Sequence, residues 1–213
     1  MDGADNVVNR VGWTPETGKC IMESRIKERR VGMMKLMIAS DIHGAASCCR
    51  KMLEAFEREQ ADRLLLLGDI LYHGPRNDLP EDYDPKKVIA MLNGLKDRPL
   101  CVRGNCDTEV DQMVLDFPVM ADYALLEEGG QTVFATHGHL YNPMRLPPLK
   151  QGDILLCGHT HVPAWEDRGT YRYCNPGSVS IPKEGSARGY MLMEKGAFIW
   201  KTLEGEAYHQ MVF

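Results

Sequence analysis

The sequence predicts a mixed α/β fold whose first half builds a largely parallel sheet and whose second half is dominated by β-hairpins. Two observations carry this. Between Lys35 and Val102, short continuous apolar runs alternate with helical patterns, and strands alternating with helices imply parallel pairing through crossover connections. After Asp107 the helical spacing gives way to short strand-like runs separated by glycine turns, as antiparallel pairs require. A chain of 213 residues suffices for one domain with a sizeable core.

Taken in order, residues 1–32 hold six Lys or Arg and five Asp or Glu, with few bulky apolar residues and no sustained periodicity. They are expected to be a poorly ordered or non-native extension, with Met33 and Met34 as alternative starts and residues 33–213 as the single domain. Leu36-Met37-Ile38-Ala39 reads as a buried strand, 47–60 as a helix with Met52, Leu53 and Phe56 at helical spacing, and 63–67 as a second buried strand. A helix over 85–94 opens on Pro85, suited to a first turn, and 99–102 gives a third strand. Further strands are expected at 123–126, 132–136, 154–157, 171–174, 189–194 and 197–203, with turns at Glu128-Gly129-Gly130 and Glu194-Lys195-Gly196.

Composition removes several functional classes. With 44% hydrophobic and 26% charged residues, neither disorder nor a fibrous repeat is indicated. No apolar stretch approaches the roughly 18–20 residues that span a bilayer, and the amino-terminal segment lacks the apolar core of a secretory signal. Seven cysteines without a C-x-x-C pair point to a reducing cytoplasm rather than a disulfide framework. The net charge of −5 argues against a protein that tracks a polyanionic backbone, so nucleic acid is not the expected partner. The apolar residues of 146–149 could line a face shared with a second copy.

Five polar segments each follow a short apolar run: Ser40-Asp41-Ile42-His43-Gly44, Gly68-Asp69, Arg103-Gly104-Asn105-Cys106-Asp107, Thr136-His137-Gly138-His139 and Gly158-His159-Thr160-His161. Loops leaving the carboxyl ends of parallel strands converge on one crevice, so residues distant in sequence can share a site. An isolated D-x-H or G-D reads as readily as a turn, since Asp, Asn and Gly are common turn residues. G-H-T-H is a stronger signal, because two imidazoles separated by one residue project in one direction from an extended chain. Together, imidazoles, carboxylates and one amide oxygen make a donor set suited to Mn²⁺, Fe or Zn²⁺. A carboxylate such as Asp69 can bridge two ions, and two cations about 3.5–4 Å apart clamp the attacking and departing oxygens of phosphoryl transfer and acidify a bound water.

The ordered set D-x-H, G-D, G-N-x-D, H-G-H and G-H-T-H resembles the calcineurin-like metallophosphoesterases from about Met34 onward, and with the N-P-G-S segment at 175–178 it is most similar to small bacterial phosphodiesterases of the YfcE type. The resemblance implies a four-layer α/β/β/α sandwich of two mixed β-sheets. It implies one metal held by Asp41, His43, Asp69 and His161 and another by Asp69, Asn105, His137 and His159, with manganese first and zinc or iron as alternatives. Hydrolysis of a small phosphodiester by a metal-bound hydroxide would follow, with His137, Asn105 and Cys106 as catalytic residues. Cys106 departs from many relatives, which carry histidine there to assist the leaving oxygen; cysteine cannot bring that positive charge, so diesters and acidic leaving groups are expected to outrun alkyl monoesters. His73, Arg76 and His139 are expected to contact substrate. The superfamily also holds monoesterases, nucleases and a non-catalytic retromer scaffold, which remain the alternatives.

Overall fold

The computed structural model describes residues 34–95 and 97–212; the expected extension over 1–32 lies outside them. Eleven strands and three helices are present among the described residues. The first half runs β1 (Leu36–Ala39), α1 (Ala46–Glu59), β2 (Arg63–Leu66), α2 (Pro85–Asn93), β3 (Pro99–Cys101) and α3 (Glu109–Val114). The second runs β4 (Tyr123–Glu128), β5 (Gln131–Thr136), β6 (Ile154–Leu156), β7 (Pro163–Asp167), β8 (Arg172–Pro176), β9 (Gly189–Glu194), β10 (Ala197–Thr202) and β11 (Ala207–Val212).

These strands form two mixed sheets, ordered β11-β10-β9-β1-β2-β3 and β4-β5-β6-β8-β7. In the first, β1, β2 and β3 run parallel while β9 returns antiparallel against β1. In the second, β5, β6 and β8 are the parallel set, with β4 and β7 antiparallel at the edges. The mixed α/β class and the paired sheets agree with the sequence reading.

Period-two alternation sorts the core into layers. Met37 and Ala39 of β1 face α1 and α2, where Met52, Phe56, Val88 and Leu92 are buried. Leu36 and Ile38 face the other way and meet Val133, Ile154 and Leu156 of the second sheet. Trp200, fully buried, joins the sheets by donating from Nε1 to the Asn175 carbonyl at 2.8 Å. Each such large side chain contributes about 1.5–3 kcal/mol by leaving water. Over the outer face of the second sheet, Phe134, Leu155 and Tyr173 are covered by Tyr141 and Leu149, so among the described residues that layer is irregular chain rather than helix.

Local signals place the ends. Asp84 accepts from the Lys87 N–H at 3.1 Å and Pro85 occupies the first turn of α2. Thr108 and Asp111 form a capping box that holds the six-residue α3. The consequence for function is positional: the carboxyl ends of both parallel sets point the same polar loops towards each other.

Candidate metal centre

The loops after β1, β2 and β3 present Asp41, His43, Asp69 and Asn105; those after β5 and β6 present His137, His159 and His161. Five of these residues, Asp41, His43, Asp69, His159 and His161, sit at φ between 50° and 68°. That left-handed region costs side-chain-bearing residues about 1–3 kcal/mol each and persists where surrounding structure enforces it for function.

The enforcing contacts are backbone clamps. Asp107, buried behind the site, accepts from the N–H groups of Asp69 (2.8 Å), Gly104 (2.7 Å) and Ile70 (2.9 Å). Burial pushes its carboxyl up, against the pull of those three donors. A Cβ at Gly104 would collide with the Asp69 side chain, and one at Gly158 with Ser40 Oγ, so glycine is required for these close approaches. On the other side, Ser178 and Ser180 each donate to the Asp41 carbonyl, at 2.9 and 2.8 Å. Asn175 donates to the Gly158 carbonyl at 2.7 Å.

The imidazoles are oriented from behind. His43, His137 and His161 each place Nδ1 at 2.7 Å from a backbone carbonyl, of Tyr72, Leu67 and Ile181. A ring that donates from Nδ1 turns a lone pair inward at Nε2. His43 Nε2 then lies 3.2 Å from His161 Nε2, which is 3.2 Å from Asp41 Oδ1. His137 Nε2 lies 3.1 Å from His159 Nδ1, 3.2 Å from Asn105 Oδ1 and 3.4 Å from Asp69 Oδ2. Acceptors thus face acceptors, and Asp41 Oδ1 is buried without a hydrogen-bond partner.

Such a convergence of carboxylate, amide and imidazole lone pairs fits cations. Asp41, His43 and His161 form one group whose ligand atoms lie within 4.8 Å of one another; Asp69, His137 and His159 form another, and His43, Asp69 and Cys106 a third. Burial acts to depress His137, but the hydrogen bond and charge of Asp69 and the charge of Asp41 outweigh it and hold His137 at about 9. Burial acts to raise Asp41, and the neighbouring His161 and His43 imidazoles hold it well below the usual carboxylate range instead.

Of the other expected residues, Cys106 lines the cavity, its thiol pushed up to about 12 by burial and then by the Asp69 charge. Arg76 also lines it. His73 and His139 do not: His73 packs edge-on between Tyr72 and Tyr83, at 4.9 and 5.3 Å between centroids, and His139 sits 5.4 Å from the His137 ring. Burial, with the charges of His137 and Arg103, lowers His139 to about 4. The sequence reading gave no role to Asp107, Asn175, Ser178, Ser180 or the cavity-lining Lys183. The aspartate ending G-N-x-D was a usable signal for the first; Lys183 carries none.

The family profile described as the calcineurin-like phosphoesterase superfamily domain matches residues 34–196. Phosphodiesterase YfcE of Escherichia coli K12 is 52% identical over 164 residues, covering 76% of this chain and 88% of that protein. The solved structure of YfcE, a phosphoesterase from E. coli, superposes with a TM-score of 0.81 at 46% identity, covering 84% of this chain and 99% of that one. A zinc complex of Vps29 from Entamoeba histolytica shares the fold at a TM-score of 0.52 and 16% identity, over 84% and 99% of the two chains. By the reach of the family match and the identity to YfcE, this chain belongs to the calcineurin-like phosphoesterase superfamily.

Proposed function

We propose that the protein is a binuclear metal-dependent phosphodiesterase that hydrolyses small phosphodiesters in the cytoplasm. The observation that carries this reading is the place of Asp69: its Oδ2 lies 3.7 Å from His43 Nε2 and 3.4 Å from His137 Nε2, facing both donor groups at once. Asp41, His43, Asp69 and His161 would hold one cation, and Asp69, Asn105, His137 and His159 the other. Manganese is the first choice, with zinc and iron accepted by the same donors. When bound, the cations would supply Lewis acidity to the phosphate and a water made acidic enough to attack at neutral pH.

The chain's own groups do the rest. The Nδ1 bonds of His43, His137 and His161 keep their rings from rotating, so the donor set meets the substrate already arranged. Cys106 stays a neutral thiol on the cavity wall; it can donate weakly to a departing oxygen but cannot carry a positive charge to it. Poor help to the leaving group favours esters whose leaving oxygen is already acidic. The cavity, ≈ 320 Å³, sits at the lower end of the roughly 300–1,000 Å³ of small-molecule pockets, and identity to a named phosphodiesterase supports the diester assignment. No helix among the described residues is long and apolar enough to cross a membrane.

The test is hydrolysis of an aryl phosphodiester and its matching monoester by metal-stripped protein given Mn²⁺, Zn²⁺, Mg²⁺ or nothing. We expect diester cleavage only with metal and a slower monoester. Silence on both with every cation, or a monoester cleaved faster than the diester, overturns the reading.

A further inference from the structure

We propose that Arg76 and Lys183 form an anion-reading rim over the metal centre, so that the preferred substrate is a phosphodiester bearing a second anionic group on one of its arms. This rests on the phosphodiesterase reading above and narrows it. The cavity has two storeys. Its floor is buried, with Asp69 3%, His161 2% and Cys106 8% exposed, whereas Arg76 and Lys183 on its wall are exposed.

Neither rim cation has a carboxylate within ion-pair distance among the described residues, unlike Arg98 with Glu57 at 3.0 Å or Arg103 with Asp122 at 2.8 Å. The backbone that carries each is nevertheless held in place. The Lys183 N–H donates to the His161 carbonyl at 3.1 Å, and Ser186 donates to the Lys183 carbonyl from N–H (3.0 Å) and from Oγ (2.6 Å). On the other segment, Asn77 donates to the His73 carbonyl at 2.8 Å and closes the turn that carries Arg76. Gly74 in that turn, at φ +78°, lies so close to Cys106 that a Cβ would stand 3.0 Å from its sulfur. The two cations therefore rise from segments tied to the floor itself.

In a chain of net charge −5 this positive rim is local, and the scissile phosphate is not its natural partner. A diester carries one negative charge, which cations on the floor would meet. Unpaired basic groups above them face whatever the arm carries. Arginine offers a bidentate fork and lysine a point charge, both suited to a carboxylate or a phosphate.

The experiment compares Mn²⁺-loaded protein on p-nitrophenyl diesters whose second arm ends in methyl, carboxylate or phosphate. We expect KM to fall by about tenfold or more for a charged arm, the size of one charge-assisted hydrogen bond. Lys183→Ala and Arg76→Ala should each shrink that ratio, and Lys183→Arg should restore most of it. Both side chains are exposed, so the variants keep the fold. A phosphate arm outbinding the carboxylate, or the reverse, identifies the second group and supports the proposal. Equal KM for neutral and charged arms, or a ratio unmoved by both alanine variants, overturns it while leaving diester hydrolysis intact. Failure to cleave any arm instead overturns the phosphodiesterase reading beneath it.

Discussion

The two sheets meet at the site with different contributions. The first sheet supplies the oxygens, Asp41, Asp69 and Asn105, with one imidazole, His43; the second supplies only imidazoles, His137, His159 and His161. Oxygens are fixed through the main chain, by Asp107 behind Asp69 and by Ser178 and Ser180 behind Asp41. Imidazoles are fixed through their rings, and partly across the gap: His137 bonds the Leu67 carbonyl of the first sheet at 2.7 Å. The His159 N–H likewise donates across the gap to Asp41 Oδ2, at 3.1 Å. The site is an inter-sheet joint, and it depends on the core between the sheets more than on the cores outside them.

The largest effect should come from the residue facing both groups. Asp69→Asn keeps the shape but removes the shared charge, and activity with Mn²⁺ should fall by more than the roughly 10–100-fold that follows loss of an outer partner of a metal ligand. Measured kcat with saturating metal decides it; near-wild-type turnover would place the shared oxygen elsewhere.

A paired substitution separates the joint from its surroundings. Leu156→Ala cuts the inter-sheet core just before the His159 loop, and Leu92→Ala cuts the helix-covered core; both side chains are fully buried. Each should cost about 2–5 kcal/mol in denaturant melts. Only Leu156→Ala should also weaken Mn²⁺ binding, and equal loss of affinity in both would erase the distinction drawn here.

Asp107→Ala should act next. It orphans three buried N–H groups, worth about 1–3 kcal/mol apiece where water cannot reach them, and it frees the backbone under Asp69. We expect lower thermal stability together with weaker metal binding, whereas stability loss alone would make Asp107 a fold residue only.

The smallest effect lies outside the joint, at the end of α1. Burial acts to raise Glu59, but hydrogen bonds from Lys201 and Tyr190 and the charges of Lys201 and Lys35 hold its pKa below the ordinary 4.5. A depressed carboxyl stabilises the fold above its unfolded pKa and loses that contribution as pH falls through the folded one. The gap in melting temperature between wild type and Glu59→Gln, at most about 1 kcal/mol in free energy, should be present at pH 7 and close below 4.5, with no change in metal affinity. A gap that persists in acid would assign it to packing.

Much of this was legible in the sequence because the site-bearing strands are continuous apolar runs, buried on both faces, that stop at a glycine or polar residue. Leu36–Ala39 and Ile154–Leu156 are such runs. What escaped lies at edges. β7 begins on Pro163 and ends in Glu166 and Asp167, and β11 alternates weakly because it is half exposed on the border of its sheet. The six-residue α3 buries nothing and is held by its capping box, too short for any periodicity. At the site, residue types announced the donors, but their orientation depends on backbone carbonyls of Tyr72, Leu67 and Ile181, which carry no sequence signal. Lys183 was hidden for the same reason, being held at the cavity by main-chain bonds with His161 and Ser186.

Calorimetric titration of metal-stripped protein with Mn²⁺, run on wild type beside Asp69→Asn and His161→Ala, tests the shared-carboxylate centre most directly. We expect wild type to take up two cations per chain, His161→Ala to lose one tight event and Asp69→Asn to weaken both. A single cation in the wild type, or two undiminished events in Asp69→Asn, would contradict the account.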